Sequence, residues 1–167
     1  MIVRRAERKD KEEWAILRNE LWPSELLVHK LDIESFFDLT SVKIVEVFVL
    51  ENEADNIVGF IELNIRSHAE GIEVRGVPYI EGWFIELDYR GKGFGKKLLR
   101  QAESWARRQG FDWIASDSDI NNLASIACHN AVGFKEMARS VCFAKNLRAH
   151  QLASGDESHI NRDNKKD

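Results

Sequence analysis

The sequence predicts an α+β fold of the α/β/α kind, with strands alternating with helices around one core. Three observations predict it. Short apolar runs of strand character recur between segments whose apolar residues repeat at helical spacing. Two of these runs, 44–50 and 57–63, are separated by the polar link Glu51 to Asn56 and read as a hairpin. A glycine-rich stretch, Gly91 to Gly95, then stands between a strand and an amphipathic helix.

In order along the chain, Ile2-Val3-Arg4 is a short opening strand. Asp10, three residues before Glu13, is a capping-box-like start for a helix on which Trp14, Leu17 and Leu21 share a face. Trp22-Pro23 ends that helix. Leu31, Ile33, Phe36 and Phe37 fall on a second helical piece, and the hairpin strands follow. Arg66 to Gly76 is a polar loop, and Tyr79 to Leu87 a third substantial strand. The helix after the glycines runs to Gln109 and is closed by Gly110. Trp113-Ile114-Ala115 is a strand, Asn122 to Val132 a helix and Ser140 to Lys145 a last strand. Residues 1–147 make one domain; 148–167 are a polar tail expected to be disordered.

Composition narrows the class. A chain of 167 residues has room for one domain with a real core, and a hydrophobic share of 44% with 31% charged residues is that of an ordinary soluble globular protein. No apolar run is long enough to cross a bilayer, and the residues after Met1 lack the apolar stretch of a signal peptide, so a cytoplasmic setting without a membrane partner is expected. Cys128 and Cys142 have no metal-ligand spacing; both read as small core residues, and no metal is expected. A formal net charge of -4 argues against nucleic acid and suits a small cationic substrate. Whether the chain forms a homodimer is left open.

The strongest chemical signal is Arg90-Gly91-Lys92-Gly93-Phe94-Gly95. Glycines let the backbone approach a bulky anion, and the N–H groups and dipole of the following helix can hold a phosphate. Arg90, Lys92, Lys96 and Lys97 add positive charge, while Phe94, Leu98, Leu99, Ala102, Trp105 and Ala106 form the helix's apolar face. The bland alternative is a glycine turn with solvated lysines. On the helix after Asn121, Leu123, Ile126, Ala127 and Ala131 cluster on one side and Asn122, Ser125 and His129 nearly opposite. That polar row is consistent with a solvated face, but Gly133-Phe134 follows directly. Glu81 lies in a strand apolar on both faces, where a carboxylate is costly unless paired or functional, and Gly82 beside it suggests a bulge. Pairing with an arginine is the structural alternative there.

Strand, Arg-Gly-x-Gly-x-Gly and helix resemble the pyrophosphate-binding element of the GNAT N-acetyltransferase superfamily, and Asn122 to Phe134 resembles its second signature. With Leu21-Trp22-Pro23, Glu81-Gly82, Ser116-Asp117 and Gly133-Phe134-Lys135-Glu136, the series is similar to the aminoglycoside 6′-N-acetyltransferases from about Met1 to Lys145. The resemblance implies a mixed, mostly antiparallel twisted central sheet with helices on both faces. It also implies acetyl-CoA as co-substrate and a small polycationic amine as acceptor. The coenzyme would be held by Trp83, Phe84, Ile85, Arg90, Gly91, Lys92, Gly93, Phe94, Gly95, Lys96, Asn122 and Ser125. Trp22, Glu81, Asp117 and Glu136 would bind the acceptor. Glu81 or Asp117 would take the amine proton, and His129, at a position often occupied by tyrosine, would protonate the leaving thiolate. A GNAT enzyme acting on a protein N-terminus, a lysine or a polyamine stays open beside this, as do a non-catalytic acyl-CoA-binding module and a nucleotide-binding regulator sharing only the glycine turn.

Overall fold

The computed structural model describes residues 1–147; the expected disorder of 148–167 lies outside the described residues. Five strands form one sheet in the order β1 (Ile2–Arg5), β2 (Glu46–Glu51), β3 (Ile57–Arg66), β4 (Val77–Ile85) and β5 (Ala115–Ser116). The first four pair antiparallel and β5 joins β4 in parallel, which gives the mixed, mostly antiparallel sheet that was expected. Helices α1 (Lys11–Leu21) and α2 (Leu26–Phe37) cover one face, α3 (Phe94–Arg108) covers the other, and α4 (Leu123–Ala131) follows β5.

The period-2 alternation of the strands sorts the two cores. Val47, Val49, Phe60 and Phe84 meet Trp14, Leu17 and Ile33 of α1 and α2. Phe48, Leu50, Ile61, Leu63 and Ile80 meet Leu98, Leu99, Ala102 and Trp105 of α3. The apolar face read for α3 is therefore the buried one, with Phe94 partly covered at its start. Two buried carboxylates of β2 have partners on β1: Glu51 binds Arg4 at 2.5 Å and Glu46 binds Arg5 at 2.6 Å.

Four expectations need correction. Asp10 does not cap α1 through its side chain. It accepts the Glu7 N–H at 2.7 Å and two bonds from Arg4, while Glu13 reaches across to accept the Ile57 N–H at 2.8 Å. Residues 140–145 are not a strand. Their alternation of Val141 and Phe143 fits strand patterning, but β5 is two residues long and offers no ladder to extend, so these side chains stand 77% and 92% exposed. Cys128 and Cys142 are exposed rather than core: Cys128 stands on the outer side of α4, and Cys142 lies in the exposed segment that follows it. Finally, α4 does not pack by its whole apolar face, because only Ile126 of that face turns inward, beside the Ser125–His129 row. Ser125, Ile126, His129 and Val132 are half-buried, whereas Leu123, Ala127 and Ala131 are exposed.

Candidate active site

The site begins with a break in the sheet. Glu62 of β3 stands opposite Gly82, but the next residue, Leu63, stands opposite Ile80. Glu81 is thus the extra residue of a bulge in β4. The parallel ladder to β5 consists of Tyr79 with Ala115 and Ile80 with Ser116, so pairing with β5 ends at the same point. From Glu81 onward the two strands part, and Trp83, Phe84 and Ile85 continue β4 along the opening. Bulges commonly re-aim side chains and end pairing beside functional sites.

Gly82 is required by what lies over it. A Cβ there would stand 2.5 Å from Trp22 Cη2 and 3.1 Å from Phe60 Cε2. Trp22, at the end of α1, is therefore pressed against the bulge, with the Arg18 guanidinium 5.5 Å from its ring and His29 Nε2 3.0 Å from its carbonyl oxygen.

Glu81 itself is paired. Arg66, the last residue of β3, donates from Nε and Nη2 to its two oxygens at 2.8 and 2.6 Å. The same guanidinium carbon lies 3.5 Å from the centre of the Tyr79 ring, and Nη1 is 3.7 Å from Asp117 Oδ2. The arginine alternative for Glu81 is thus the arrangement present, and Arg66 joins Glu81 and Asp117 into one cluster. Hydrogen bonding to Glu81 raises the Arg66 pKa further, so it stays cationic; burial and then the Asp117 charge raise that of Tyr79, so its hydroxyl stays neutral.

On the other side of the opening, His129 ties α4 to the sheet. Its Nδ1 lies 2.8 Å from the Ser125 carbonyl oxygen, which fixes Nδ1 as a donor, and its Nε2 lies 3.0 Å from Ser116 Oγ. Trp83 and Phe134 meet the imidazole edge-on at 5.5 and 5.2 Å. Asn122 does not point along this row; its side-chain oxygen caps α4 by accepting the Ser125 N–H at 3.0 Å.

The glycine loop has the form expected for anion binding. Gly91 and Gly93 take φ of 72° and 81°, conformations that glycine adopts without strain, and nothing lies within 4 Å of where either Cβ would be. Gly93 opens α3, leaving the N–H groups of the first turn free of intrahelical partners. At Gly95 a Cβ would meet Trp83 at 3.3 Å, so the helix start lies against β4. These features fit a pyrophosphate. Lys92 and Lys96 are exposed there, but Arg90 folds back to donate to the Ile85 carbonyl oxygen at 2.6 Å.

Glu136 does not join the cluster through any contact of its own. It pairs with Arg139 at 2.6 Å on the exposed segment after α4, and that hydrogen bond holds its carboxyl below the usual range. Arg66 and the Ser116–His129 bond were not foreseen. Arg66 sits on the same strand parity as Glu62, the signal available, but its reach to Glu81 depends on the bulge.

Known proteins share this architecture. The profile described as the acetyltransferase (GNAT) family matches residues 11–134. An aminoglycoside N(6′)-acetyltransferase type 1 from Klebsiella aerogenes is 35% identical over 147 residues, 87% of this chain and 97% of that protein. Its counterpart from Stenotrophomonas maltophilia is 32% identical over 87% of this chain and 93% of that protein. The crystal structure of an aminoglycoside 6′-N-acetyltransferase from Acinetobacter haemolyticus superposes with a TM-score of 0.80 at 27% identity, covering 88% of this chain and 99% of that one. AAC(6′)-Iy, solved with the bisubstrate analogue CoA-S-monomethyl-acetylneamine, gives 0.79 at 26% over 87% and 97%. With the family profile covering residues 11–134 and a relative 35% identical over nearly its whole length, the chain belongs to the GNAT acetyltransferase family.

Proposed function

We propose that this protein transfers the acetyl group of acetyl-CoA to the 6′-amine of an aminoglycoside, an activity that confers resistance to the antibiotic. The observation that carries this reading is the bulge in β4. It sets Glu81, with Asp117 and Trp22, at the point where the sheet opens, next to the helix start that fits a pyrophosphate. Carboxylates beside an aromatic plate suit a polycationic sugar. The relatives that bear this activity match the chain over nearly their whole length. A cytoplasmic location goes with the reading.

Acetyl-CoA supplies a thioester carbonyl for direct attack. The free N–H groups of the first α3 turn and the open Gly91–Gly93 backbone hold its pyrophosphate, with Lys92 and Lys96 adding charge. A backbone N–H at Trp83 or Phe84, on the part of β4 beyond the β5 ladder, polarises the carbonyl. Glu81 or Asp117 accepts the proton that the acceptor amine must lose, directly or through water. His129 donates to the departing thiolate only as imidazolium. In its neutral form Nδ1–H is engaged with Ser125 and Nε2 accepts from Ser116, so a second proton has to arrive at Nε2.

The test is CoA release from acetyl-CoA with a panel of aminoglycosides, polyamines, lysine and peptides, followed by locating the acetyl group on the product. Acetylation at the 6′-amine is expected, and turnover with peptides or polyamines alone would redirect the reading to those acceptors. Gly93→Asp should weaken acetyl-CoA binding about tenfold or more relative to Gly93→Asn. The two are nearly isosteric and tolerate a left-handed backbone comparably, so the difference reports negative charge at the pyrophosphate.

A further inference from the structure

Glu81 and Asp117 already share a cation. Arg66 fills both oxygens of Glu81, lies within 3.7 Å of Asp117, and rests on the Tyr79 ring. Two carboxylates and an aromatic face are the chemistry that would receive an ammonium-bearing sugar, and the protein fills that seat with its own side chain. The occupant is not locked in. Its side chain is 37% exposed and that of Asp117 is 68% exposed. It hangs on three methylenes from the end of β3, next to the 67–76 excursion.

We propose that Arg66 is a resident counter-cation of the acceptor site, an internal competitor that an incoming amine must displace to reach Glu81 and Asp117. The proposal rests on the reading of those two carboxylates as the acceptor's anchors. Competition of this kind sets a threshold. A lone ammonium gives a point charge where Arg66 gives a two-pronged fork, and it loses the exchange at ordinary concentrations. An acceptor bringing several ammonium groups engages Glu81 and Asp117 together and wins it. With Arg66 in place the empty site also carries one negative charge instead of two, which disfavours capture of stray cations.

Competition has a signature that direct contact lacks. Removing a competitor lowers the apparent KM of every acceptor by the same factor, whatever its shape. Removing a contact raises KM, by amounts that differ among acceptors. The experiment compares wild type, Arg66→Lys and Arg66→Gln with three aminoglycosides of different ring substitution, varying acceptor and acetyl-CoA separately. In Arg66→Gln the acceptor KM should fall about three- to tenfold for all three, the range expected for exchanging a partly exposed ion pair. The KM for acetyl-CoA should stay put, kcat should move much less than the acceptor KM, and the salt dependence of the acceptor KM should steepen because two carboxylates are left uncompensated. Arg66→Lys, which keeps the charge and loses the fork, should lie between. A rise in acceptor KM, or factors that differ widely among the three acceptors, would overturn the proposal.

Should Arg66→Gln fail to fold, the wild-type protein still decides. The Arg66 Nε–H signal of ¹⁵N-labelled enzyme, assigned with Arg66→Lys, should shift or broaden as an aminoglycoside is titrated in the presence of CoA. A signal unmoved at saturating acceptor would sink the idea. Wild-type enzyme that acetylates no aminoglycoside would overturn both this proposal and the function it rests on, whereas normal acetylation with an unaltered Arg66→Gln overturns this proposal alone.

Discussion

Two arginine–glutamate pairs lie one residue apart across the β3–β4 ladder, and they are built for different ends. Glu62 and Arg18 have side chains 1% and 7% exposed; Glu81 and Arg66 have side chains 23% and 37% exposed. In the outer pair the guanidinium forks onto both oxygens. In the inner pair Arg18 Nε stands 3.1 Å from Glu62 Oε1 without the alignment of a hydrogen bond, and the carboxylate is instead held by the Trp14 indole N–H at 2.8 Å. Other Arg18 nitrogens reach Asp32 at 3.3 Å and the His29 carbonyl oxygen at 3.5 Å. The better-made ion pair is thus the one that water can reach. Coulomb attraction is similar in kind at both places, and what differs is the solvent each pair would regain on separating. The buried pair is architecture that fixes α1 and Trp22 against the sheet; the open pair is exchangeable, and it is the one at the parting of β4 from β5.

The largest effect expected from this difference is on stability. Arg18→Ala strands the Glu62 charge in the core and should cost about 3–5 kcal/mol at pH 8, whereas Arg66→Gln should cost about 1 kcal/mol or less. Urea unfolding of both variants would measure it. Equal losses would mean that the Arg66 pair is as structural as the inner one, and would count against its displacement by substrate.

Next in size is a pH dependence at the inner pair. Burial lifts the Glu62 pKa from its ordinary 4.5 to about 7, against the opposing pull of Arg18 and of the Trp14 hydrogen bond. The folded protein therefore binds a proton at Glu62 between these two values that the unfolded chain has released. This contribution to stability is full below about pH 4.5 and is lost as pH rises to about 7, on the order of a few kcal/mol. Glu62→Gln should flatten that part of the unfolding free energy measured from pH 4.5 to 8. An unchanged slope would mean that Arg18 keeps Glu62 ionised, and that the buried pair is a true ion pair at low pH as well.

How far the sequence discloses these two pairs follows from the range of the forces involved. Helix α3, the 46–51 and 57–66 hairpin and the glycine turn are local: periodicity, a polar link and three glycines before an amphipathic stretch suffice to read them. Glu81 with Gly82 marks the bulge, because a carboxylate beside a glycine in an apolar strand has to be paired or functional, and an arginine is the natural partner. Which arginine was not legible, because Arg66 and Glu81 meet only once the register slips by one residue at the bulge. Glu62 hides in a strand that reads as plain apolar alternation, and its burial depends on α1 lying over it. The failures at residues 140–145, at Cys128 and on the outer face of α4 share one cause. Each pattern presupposes a further layer to pack against, and beyond the two-residue β5 the described residues supply none on the outer side of α4 or along 140–145. Local pattern states what a segment can bury; only the assembled sheet states what is there to bury it.

The smallest expected effect lies at the outermost member of the open cluster. Asp117 is more exposed than either pair and touches Arg66 only at 3.7 Å, so Asp117→Asn should leave stability within about 0.5 kcal/mol of wild type. Its consequence should appear in acceptor binding. Losing one of the two carboxylates that receive the acceptor should raise the acceptor KM about three- to tenfold at low salt, with the KM for acetyl-CoA unchanged, and the difference should shrink as ionic strength rises and the Debye length contracts. The same variant frees Arg66 of its weaker partner and leaves the Glu81 fork intact, so the double variant with Arg66→Gln is informative. If Arg66 competes for the seat, the two substitutions act on one equilibrium, and their effects on acceptor KM should be non-additive by more than the few tenths of a kcal/mol seen between independent sites. Strict additivity would mean that Asp117 receives the acceptor at a place Arg66 never blocks, and would confine the competition to Glu81.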